Sequence, residues 1–399
     1  MVLELASILL LVTAIGLLVP VGVMLLETLA AIGAGARLSL GPPAVITARA
    51  RVAVLVPAHD EAAGVGAGLA TILPQLQAGD RVIVVADNCS DDTARIAVAA
   101  GAEAIERRDS ERRGKGYALD FGIRHLEADP PEIVVMVDAD CALHPGSLDR
   151  LVRACMREQR PLQALDLMLA PPDAGLRTRI AAFAWAVKNH VRPLGALHLG
   201  LPCQLMGTGM AFPWALIRQA PLATGHLVED MRLGLDLAAA GTAPRFCPEA
   251  CVTSWFPSHA QGETEQRARW EQGHVGVILH EAPRALWRAV RLRRPALAWM
   301  VLDLGVPPLT MLVLLLLAHA ALAAVLLALG GSSLPLTVSL LSIAGLAAAL
   351  TLAWLRFGRN IVSLRDLMSI PGYMLGKLPL YARIVRGRPG AWVRARRDK

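Results

Sequence analysis

The segment Ile133-Val134-Val135-Met136-Val137-Asp138-Ala139-Asp140 joins a run of apolar residues directly to two aspartates. Apolar runs rich in β-branched residues are typical of strands buried on both faces of a parallel sheet. Two earlier runs, 52–56 and 81–86, have the same character. Helix-like stretches at 93–101 and 117–127 separate the three runs. This alternation predicts an α/β doubly wound fold with a mostly parallel sheet.

Polar residues follow each predicted strand. The first strand is followed by His59-Asp60-Glu61, the second by the segment 87–92 and the third by Asp138 and Asp140. Ligands bind beyond the carboxyl ends of the strands in such sheets. Carboxylates gathered at one edge of a basic protein suit Mg²⁺ or Mn²⁺, which complete their coordination with substrate phosphates. A solvated turn remains the competing interpretation of each cluster, because aspartate is common in turns.

A basic, glycine-containing loop lies between the second and third predicted strands. Its sequence is Arg112-Arg113-Gly114-Lys115-Gly116. Glycine lets a backbone approach a ligand closely, and the neighbouring cations suit phosphate. Phosphate binding and an ordinary basic surface loop are both compatible with this segment.

The composition restricts the class of protein. Hydrophobic residues make up 54% of the chain and charged residues 18%, which excludes a disordered chain and argues against a purely soluble enzyme. Six cysteines without regular spacing exclude a disulfide-stapled scaffold and indicate a reducing compartment. The net charge is +7, but aromatic residues are only 4%, so we predict no nucleic-acid partner.

Long uncharged stretches predict membrane helices. Leu5 to Leu26 carries no charge and is long enough to span a bilayer, and the acidic start at Glu4 argues against a cleaved signal peptide. The stretch 304–355 is uncharged except for His319, and turn-forming residues at 330–335 divide it into a hairpin. The flanking basic residues predict three transmembrane helices, with the central segment and the C-terminus cytoplasmic.

We divide the chain into five predicted segments. Two stretches, in 282–303 and in 370–385, mix basic with apolar residues and are typical of helices on an anionic membrane surface, although a solvated helix face has the same pattern. The segments are an N-terminal transmembrane helix (1–36), a cytoplasmic α/β domain (51–281), an amphipathic interface segment (282–303), a transmembrane hairpin (304–355) and a basic interfacial tail (356–399).

Short motifs occur in a fixed order along the α/β segment. They are Val56-Pro57-Ala58-His59-Asp60-Glu61, Val85-Ala86-Asp87-Asn88-Cys89-Ser90-Asp91-Asp92-Thr93, Arg113-Gly114-Lys115-Gly116-Tyr117-Ala118-Leu119, Asp138-Ala139-Asp140, Val228-Glu229-Asp230 and Gln266-Arg267-Ala268-Arg269-Trp270. Together they resemble the membrane-integrated family 2 glycosyltransferases, which include cellulose, hyaluronan and poly-N-acetylglucosamine synthases and ceramide glucosyltransferases. The resemblance implies a GT-A fold, Mg²⁺ or Mn²⁺ as cofactor, and an inverting transfer from a nucleotide sugar, usually a UDP-sugar. Together with the lack of eukaryotic targeting features, it also implies a bacterial protein of the inner cell membrane.

The resemblance also implies roles for individual residues. The general base that deprotonates the acceptor hydroxyl would be Asp230. Nucleotide-sugar binding would involve Asp87, Lys115, Asp138 and Arg269. The acceptor would contact Gly207, Gly209, Glu229, Gln266 and Trp270. The metal ion would be held by Asp140 together with Asp138. The sequence has Val228 where the family has threonine, a minor departure.

Several functions remain open from the sequence. The first is synthesis of an exopolysaccharide or cell-surface glycan, in which three membrane helices would need a homo-oligomer or an export partner to form a pore. The alternative is a single transfer to a lipid, which makes a glycolipid. A further alternative is a catalytically inactive nucleotide sensor, disfavoured because Asp138, Asp140 and Asp230 are all present. A transporter would need more spans and more polar groups within them.

Overall fold

The described residues of this computed structural model form one α/β domain with apolar helices before and after it. They are 1–33, 49–226, 228–257 and 260–369, without the side chains of 260–267 and 368. The predicted tail beyond Ser369 lies outside the described residues.

An eight-stranded sheet forms the centre of the domain, in the order β3-β2-β1-β4-β7-β6-β8-β5. The first four strands of this order are parallel, β7 is antiparallel to both of its neighbours, β6 and β8 are parallel, and β5 is antiparallel to β8. The α/β fold and the three strands predicted from the apolar runs are confirmed. The strands are β1 (Val52–Ala58), β2 (Arg81–Asp87), β3 (Glu103–Arg107), β4 (Ile133–Met136), β5 (Ala142–Leu143), β6 (Leu162–Leu169), β7 (Met210–Pro213) and β8 (Arg245–Trp255).

Helices cover both faces of the sheet and continue beyond it. The α-helices are α1 (Val2–Gly33), α2 (Val65–Ile72), α3 (Thr93–Ala100), α4 (Lys115–Leu126), α5 (Ser147–Glu158), α6 (Leu176–Ala186), α7 (Arg192–His198), α8 (Trp214–Ile217), α9 (Glu229–Ala240), α10 (Ala260–His280), α11 (Ala282–Arg291), α12 (Pro295–Leu304), α13 (Leu309–Ala328), α14 (Leu334–Ala353) and α15 (Leu364–Met368). A 3₁₀ turn occupies Leu73–Gln75, and π-helical segments occupy Val187–Val191 and Trp354–Gly358.

The apolar runs form strands because both of their faces are buried. Along β1, Val52 and Val54 belong to one buried cluster and Ala53 and Leu55 to another, on the opposite side of the sheet. A valine or leucine side chain contributes about 1.5–3 kcal/mol when it is fully buried. A Cβ added to Gly122 in α4 would lie 2.4 Å from Leu55 Cδ1, so this helix packs directly on the sheet. The rigid sheet fixes the positions of the polar turns at its edge.

Three helices among the described residues are long and apolar enough to cross a membrane: Val2–Gly33, Leu309–Ala328 and Leu334–Gly358. The first has 32 residues. At 1.5 Å per residue it is about 48 Å long, whereas the hydrocarbon core of a bilayer is about 30 Å thick. Its C-terminal end packs on α7, where a Cβ added to Gly195 would lie only 1.9 Å from the Glu27 carbonyl oxygen. The first helix is therefore partly embedded in the α/β domain.

A histidine joins these three helices. The Nε2 atom of His319 in α13 lies 2.9 Å from Thr13 Oγ1 and 3.0 Å from the Leu10 carbonyl oxygen, both in α1. Its Nδ1 atom lies 2.8 Å from Ser339 Oγ in α14. The centre of the three-helix bundle at this level is filled by a hydrogen-bonded side chain.

The segment 282–303 forms two helices of different character. In α11, Trp287 and Val290 are exposed and Arg288 Nη1 pairs with Asp236 Oδ1 of α9 at 3.0 Å. In α12, by contrast, Leu297 and Met300 are buried in a cluster with residues of α9. The second helix thus belongs to the packed interior of the molecule.

Candidate active site

Two polar turns meet at the carboxyl ends of β1 and β2. Asp60 and Asn88 both have φ of 52°, a left-handed conformation that few non-glycine residues adopt. The backbone N–H of Ser90 donates to Asp60 Oδ1 at 2.6 Å, and His59 Nδ1 lies 2.7 Å from the Asp87 carbonyl oxygen. These bonds fasten the two turns together, so the strand ends present a preformed polar edge.

A first cavity of about 140 Å³ lies beside these turns and is bordered by Asp87 and by Lys115 of the basic loop. The buried Asp87 carboxylate accepts from Arg107 Nη1 at 2.6 Å and from Asn88 Nδ2 at 3.0 Å, in both cases at Oδ1. Its Oδ2 atom has no hydrogen-bond partner among the described residues. Asp87 is therefore oriented by two donors and can accept an N–H group of a ligand.

A second cavity of about 280 Å³ adjoins the first. The residues that line both cavities are His59, Glu61, Lys115, Asp138 and Asp140. A ligand that extends from one cavity into the other must therefore pass an ammonium group and two aspartates.

Lys115 is the charged centre of this shared wall. It begins α4, directly after Gly114, whose φ of 132° few other residues could adopt. Its Nζ atom lies 2.5 Å from Asp138 Oδ1 and 3.9 Å from Glu229 Oε1, and it donates to the Gly207 carbonyl oxygen at 2.9 Å. Burial alone would lower the pKa of Lys115, but the surrounding carboxylates outweigh it and raise the pKa above its ordinary value. Lys115 is therefore charged and connects the two cavities.

Asp138 and Asp140 offer a ligand set for a divalent cation. Together with Cys141, their ligand atoms lie within 4.8 Å of one another. The Cys141 thiol is a soft ligand, which Mg²⁺ and Mn²⁺ do not favour. The two remaining carboxylates suit Mg²⁺ or Mn²⁺, which prefer oxygen and complete their shells with water or phosphate.

Asp230 and Glu229 face the second cavity from the start of α9. The turn at Gly207, whose φ of 88° favours glycine, lies against Asp230: a Cβ added there would be 3.4 Å from Asp230 Oδ2, an ordinary contact. Burial raises the pKa of Glu229 to about 8 and also raises the pKa of Asp230, although the Lys115 ammonium opposes both shifts. A raised pKa makes a carboxylate a better proton acceptor.

Helix α10 adds Arg269 and Trp270 to the same cavity. The Trp270 ring lies 5.0 Å from the Trp185 ring at an angle of 47°. The side chain of Gln266 lies outside the described residues, and its role stays a prediction. Gly209 lies away from the cavity: a Cβ there would be 2.9 Å from both Ala164 Cβ and Val252 Cγ2, so it faces the sheet.

The lining of the second cavity also includes Asp166, Trp185, Lys188 and Asn189, which no sequence motif indicated. Asn189 Nδ2 donates to Asp166 Oδ2 at 2.9 Å, and burial raises the pKa of Asp166 to about 7. Three of the four are polar residues within apolar segments, which could have indicated a functional role: Asp166 interrupts a buried strand, and Lys188-Asn189 interrupts an apolar helix. The π-helical segment Val187–Val191, which carries that pair, is a feature often found at functional sites.

Comparison with known proteins defines the family. The chain belongs to the family described as glycosyltransferase like family 2, whose model matches residues 49–273, more than half of the chain. The architecture is accordingly a GT-A-like α/β fold with a mostly parallel sheet.

Individual relatives were found as well. A glucosyl-3-phosphoglycerate synthase of Mycolicibacterium paratuberculosis is 32% identical over 217 residues, which are 47% of this chain and 62% of that protein. An uncharacterized glycosyltransferase of Mycobacterium bovis is 38% identical over 101 residues, 25% of this chain and 42% of that protein. The chain thus spans less than two thirds of either relative.

Similar solved structures include a mannosyltransferase from Pyrobaculum calidifontis in complex with GDP-Man and Mn²⁺. It is 20% identical, and the match covers 94% of each chain with a TM-score of 0.49. A second is glucosyl-3-phosphoglycerate synthase from Mycobacterium tuberculosis in complex with Mn²⁺, uridine diphosphate and glucosyl-3-phosphoglycerate. It is 23% identical, and the match covers 56% of this chain and 77% of that chain with a TM-score of 0.40.

Proposed function

We propose that the protein is a metal-dependent, inverting glycosyltransferase of the cell membrane that moves a sugar from a UDP-sugar to a membrane-associated acceptor. The observation that carries the proposal is the pair of adjoining cavities, with Lys115, Asp138 and Asp140 in the wall between them. A nucleotide sugar matches this arrangement from end to end. Its nucleoside would fill the first cavity beside Asp87, its diphosphate would cross the shared wall, and its sugar would enter the second cavity.

The proposed reaction is a single displacement. Asp230 accepts the proton of the acceptor hydroxyl as its oxygen attacks the anomeric carbon. The bond between this carbon and the diphosphate oxygen breaks, and its electron pair leaves with UDP. Because attack and departure occur on opposite faces of the carbon, the configuration is inverted.

Positive charge around the leaving group assists that step. Lys115 and Arg269 are the side chains that we assign to the diphosphate. Mg²⁺ or Mn²⁺ held by Asp138 and Asp140 would stabilise the charge that develops on the departing UDP. We assign the acceptor side to Trp270, Glu229, Gly207 and Gln266. Trp270 can place its ring against the apolar face of a sugar.

The acceptor is either a growing glycan, as in exopolysaccharide synthesis, or a lipid. His319 fills the centre of the three-helix bundle, so glycan export through one copy has no support, and another copy or an export partner would be required. An apolar cavity of about 130 Å³ beside the second cavity favours the lipid. We therefore place single transfer to a lipid ahead of polymer synthesis.

The test is the release of UDP by purified protein in detergent, with lipid extract as acceptor. A panel of UDP-sugars is tested with Mn²⁺, Mg²⁺ or EDTA, beginning with UDP-glucose. We expect release with one sugar, loss of release in EDTA, and loss of metal-dependent UDP binding in Asp140→Ala. Asp120→Asn, which changes a partly exposed aspartate of α4 that lines neither cavity, is the matched control. Metal-independent UDP binding that is unchanged in Asp140→Ala would contradict the assigned metal site.

A further inference from the structure

A third cavity, here called the membrane-side cavity, lies between α6, α10 and the start of α13. Its volume is about 130 Å³, and apolar side chains, including Ile180, Ala184, Phe256 and Leu309, form most of its lining. Leu309 is the first residue of a helix that is long and apolar enough to cross a membrane. The cavity therefore lies at the end of this helix, next to the α/β domain, where a lipid chain could enter it if the helix crosses the bilayer.

The membrane-side cavity adjoins the second cavity of the active site. Trp185, Lys188 and Trp270 line both. A single elongated molecule could thus place one end among apolar side chains and the other end near Asp230. This continuity points to an occupant that is apolar at one end and polar at the other.

Lys188 supplies a positive charge at this junction. It lies in the π-helical segment, and its Nζ atom is 5.6 Å from the centre of the Trp185 ring. Within the described parts of the chain, Lys188 forms no hydrogen bond and no ion pair. Burial lowers the pKa of Lys188, and the carboxylates of Asp230 and Asp166 oppose this shift from a distance without forming an ion pair with it, so part of the desolvation cost of the ammonium group remains. Binding of an anionic ligand would remove this cost.

The other basic groups of the membrane-side cavity are already engaged. Arg192 donates to Glu27 Oε2 at 2.8 Å and to the Asp303 carbonyl oxygen at 2.7 Å. His274 Nε2 bonds the Leu304 carbonyl oxygen at 2.9 Å, and burial lowers the pKa of this histidine to about 3, so its ring is neutral. Glu271 also borders the cavity. Among these groups, Lys188 is the cation that remains for a ligand.

We infer that the acceptor is an anionic membrane lipid whose hydrocarbon chain occupies the membrane-side cavity and whose phosphate group binds Lys188. This inference rests on the proposed glycosyl transfer and specifies its acceptor. The hydroxyl that receives the sugar would then extend past Trp270 into the second cavity, on the side of Asp230. The anchoring group is the phosphate of a lipid in the bilayer, because free phosphate would make no use of the apolar lining.

The experiment compares two lipid probes with identical acyl chains, phosphatidic acid and diacylglycerol, which differ only by the phosphate. Binding of each probe is measured by native mass spectrometry from dodecyl maltoside micelles. We expect the wild type to prefer phosphatidic acid and Lys188→Met to lose about 10- to 100-fold of that affinity, the range expected for one charge-assisted contact. Diacylglycerol binding should be unchanged in Lys188→Met, and Lys188→Arg should retain the preference.

Two further variants test the apolar lining of the cavity and the general surface charge separately. Ala184→Leu fills the membrane-side cavity and should weaken the binding of both lipids. Arg291→Met removes an exposed cation of α11 and should preserve the preference, because it affects only the general attraction of the surface for anions. Equal affinity of wild type and Lys188→Met for phosphatidic acid would overturn the inference, and so would binding of soluble glycerol phosphate as tight as that of phosphatidic acid.

UDP binding in the presence of Mn²⁺ is measured on the same preparations. It separates failure of the proposed glycosyl transfer from failure of the lipid assignment. Absence of UDP binding in the wild type would overturn the proposed transfer itself. Normal UDP binding without any preference for phosphatidic acid would overturn the lipid assignment alone. Normal UDP binding in Lys188→Met with loss of the lipid preference would support both.

Discussion

Lys115, which is half-buried, and Arg192, which is buried, are both cations that lie between two carboxylates, and the two clusters differ in what else they contact. Lys115 Nζ is 2.5 Å from Asp138 and 3.9 Å from Glu229, in the wall between two cavities. Arg192 binds Glu27 of α1 and Asp303 of α12, and it also lines the membrane-side cavity. The first cluster joins residues within the site, whereas the second joins three separate parts of the molecule.

The chemistry of the two cations matches this difference. A guanidinium group directs several donors in fixed directions, which suits a permanent junction between elements. Gln204 extends the Arg192 cluster by donating to Asp303 Oδ2 at 2.9 Å and to the Met300 carbonyl oxygen at 2.8 Å. An ammonium group is a compact point charge whose partners can be exchanged. The same charge pattern can therefore stabilise a fold in one place and prepare a ligand site in another.

The largest effect should come from Asp230→Asn, which alters the Lys115 site without removing a cation. We expect the rate of sugar transfer to fall about 10²- to 10⁴-fold, because the proposed base is lost. The affinity for UDP and the unfolding temperature should change little. Transfer and UDP binding are measured side by side, with Asp120→Asn as control. Transfer at the wild-type rate would show that Asp230 is not the base.

Arg192→Met tests the other cluster. It leaves two buried carboxylates without their cation, so we expect a loss of about 3–5 kcal/mol in the free energy of unfolding. The measurement is thermal unfolding in detergent. The triple variant that adds Glu27→Gln and Asp303→Asn should recover most of the loss, since no charge then remains unpaired. A single variant as stable as the wild type would mean that this cluster does not hold the helices together.

Lys115→Met tests whether Lys115 contributes mainly to ligand binding, whereas Arg192 contributes mainly to stability. We expect the affinity for UDP to fall about 10- to 100-fold, because a charge-assisted contact is lost. The loss of stability should be smaller than for Arg192→Met, since water in the cavities can solvate Asp138 and Glu229. Titration with UDP and thermal unfolding of both variants check this order. The opposite order of stabilities would assign the structural role to Lys115.

The smallest expected effect is on the pH dependence of stability. The pKa of Asp166 is about 7 in the folded protein, against an ordinary value of 3.8. The folded state therefore holds this proton more tightly, so stability should fall as pH rises between these values and level off above about 7. Asp166→Asn cannot titrate, and its unfolding temperature should decline less from pH 5 to pH 8, by about a few degrees. Scans in EDTA check this, and identical pH profiles would contradict it.

The sequence predicted the parts of the molecule that produce a short, continuous pattern of residues, such as an apolar run or a motif. The strands beginning at Val52, Arg81 and Ile133 were found because a strand buried on both faces is a continuous apolar run. The acidic strand ends were found because parallel strands bring their carboxyl ends to one edge. Family motifs pointed to Asp230 and Trp270, which line one cavity in the structure.

Other features depend on long-range packing and have no periodic signal. The contribution of Lys188 depends on the π-helical segment between α6 and α7, and no spacing in the sequence marks this segment. The pairing of Glu27 with Arg192 joins residues 165 positions apart. The opposite directions of Gly207 and Gly209 follow from a turn whose contacts, Asp230 on one side and Val252 on the other, come from distant segments.

The close contact between Gly195 and Glu27 has a practical consequence for preparing the protein. Truncation before Arg49 would remove the first helix in the hope of obtaining a water-soluble catalytic fragment. It would also remove the Glu27 carboxylate, leave Arg192 with Asp303 alone, and uncover the apolar surface of α7. The fragment should aggregate unless a detergent or a fusion partner replaces the helix. The first helix is better regarded as part of the catalytic domain than as a detachable anchor.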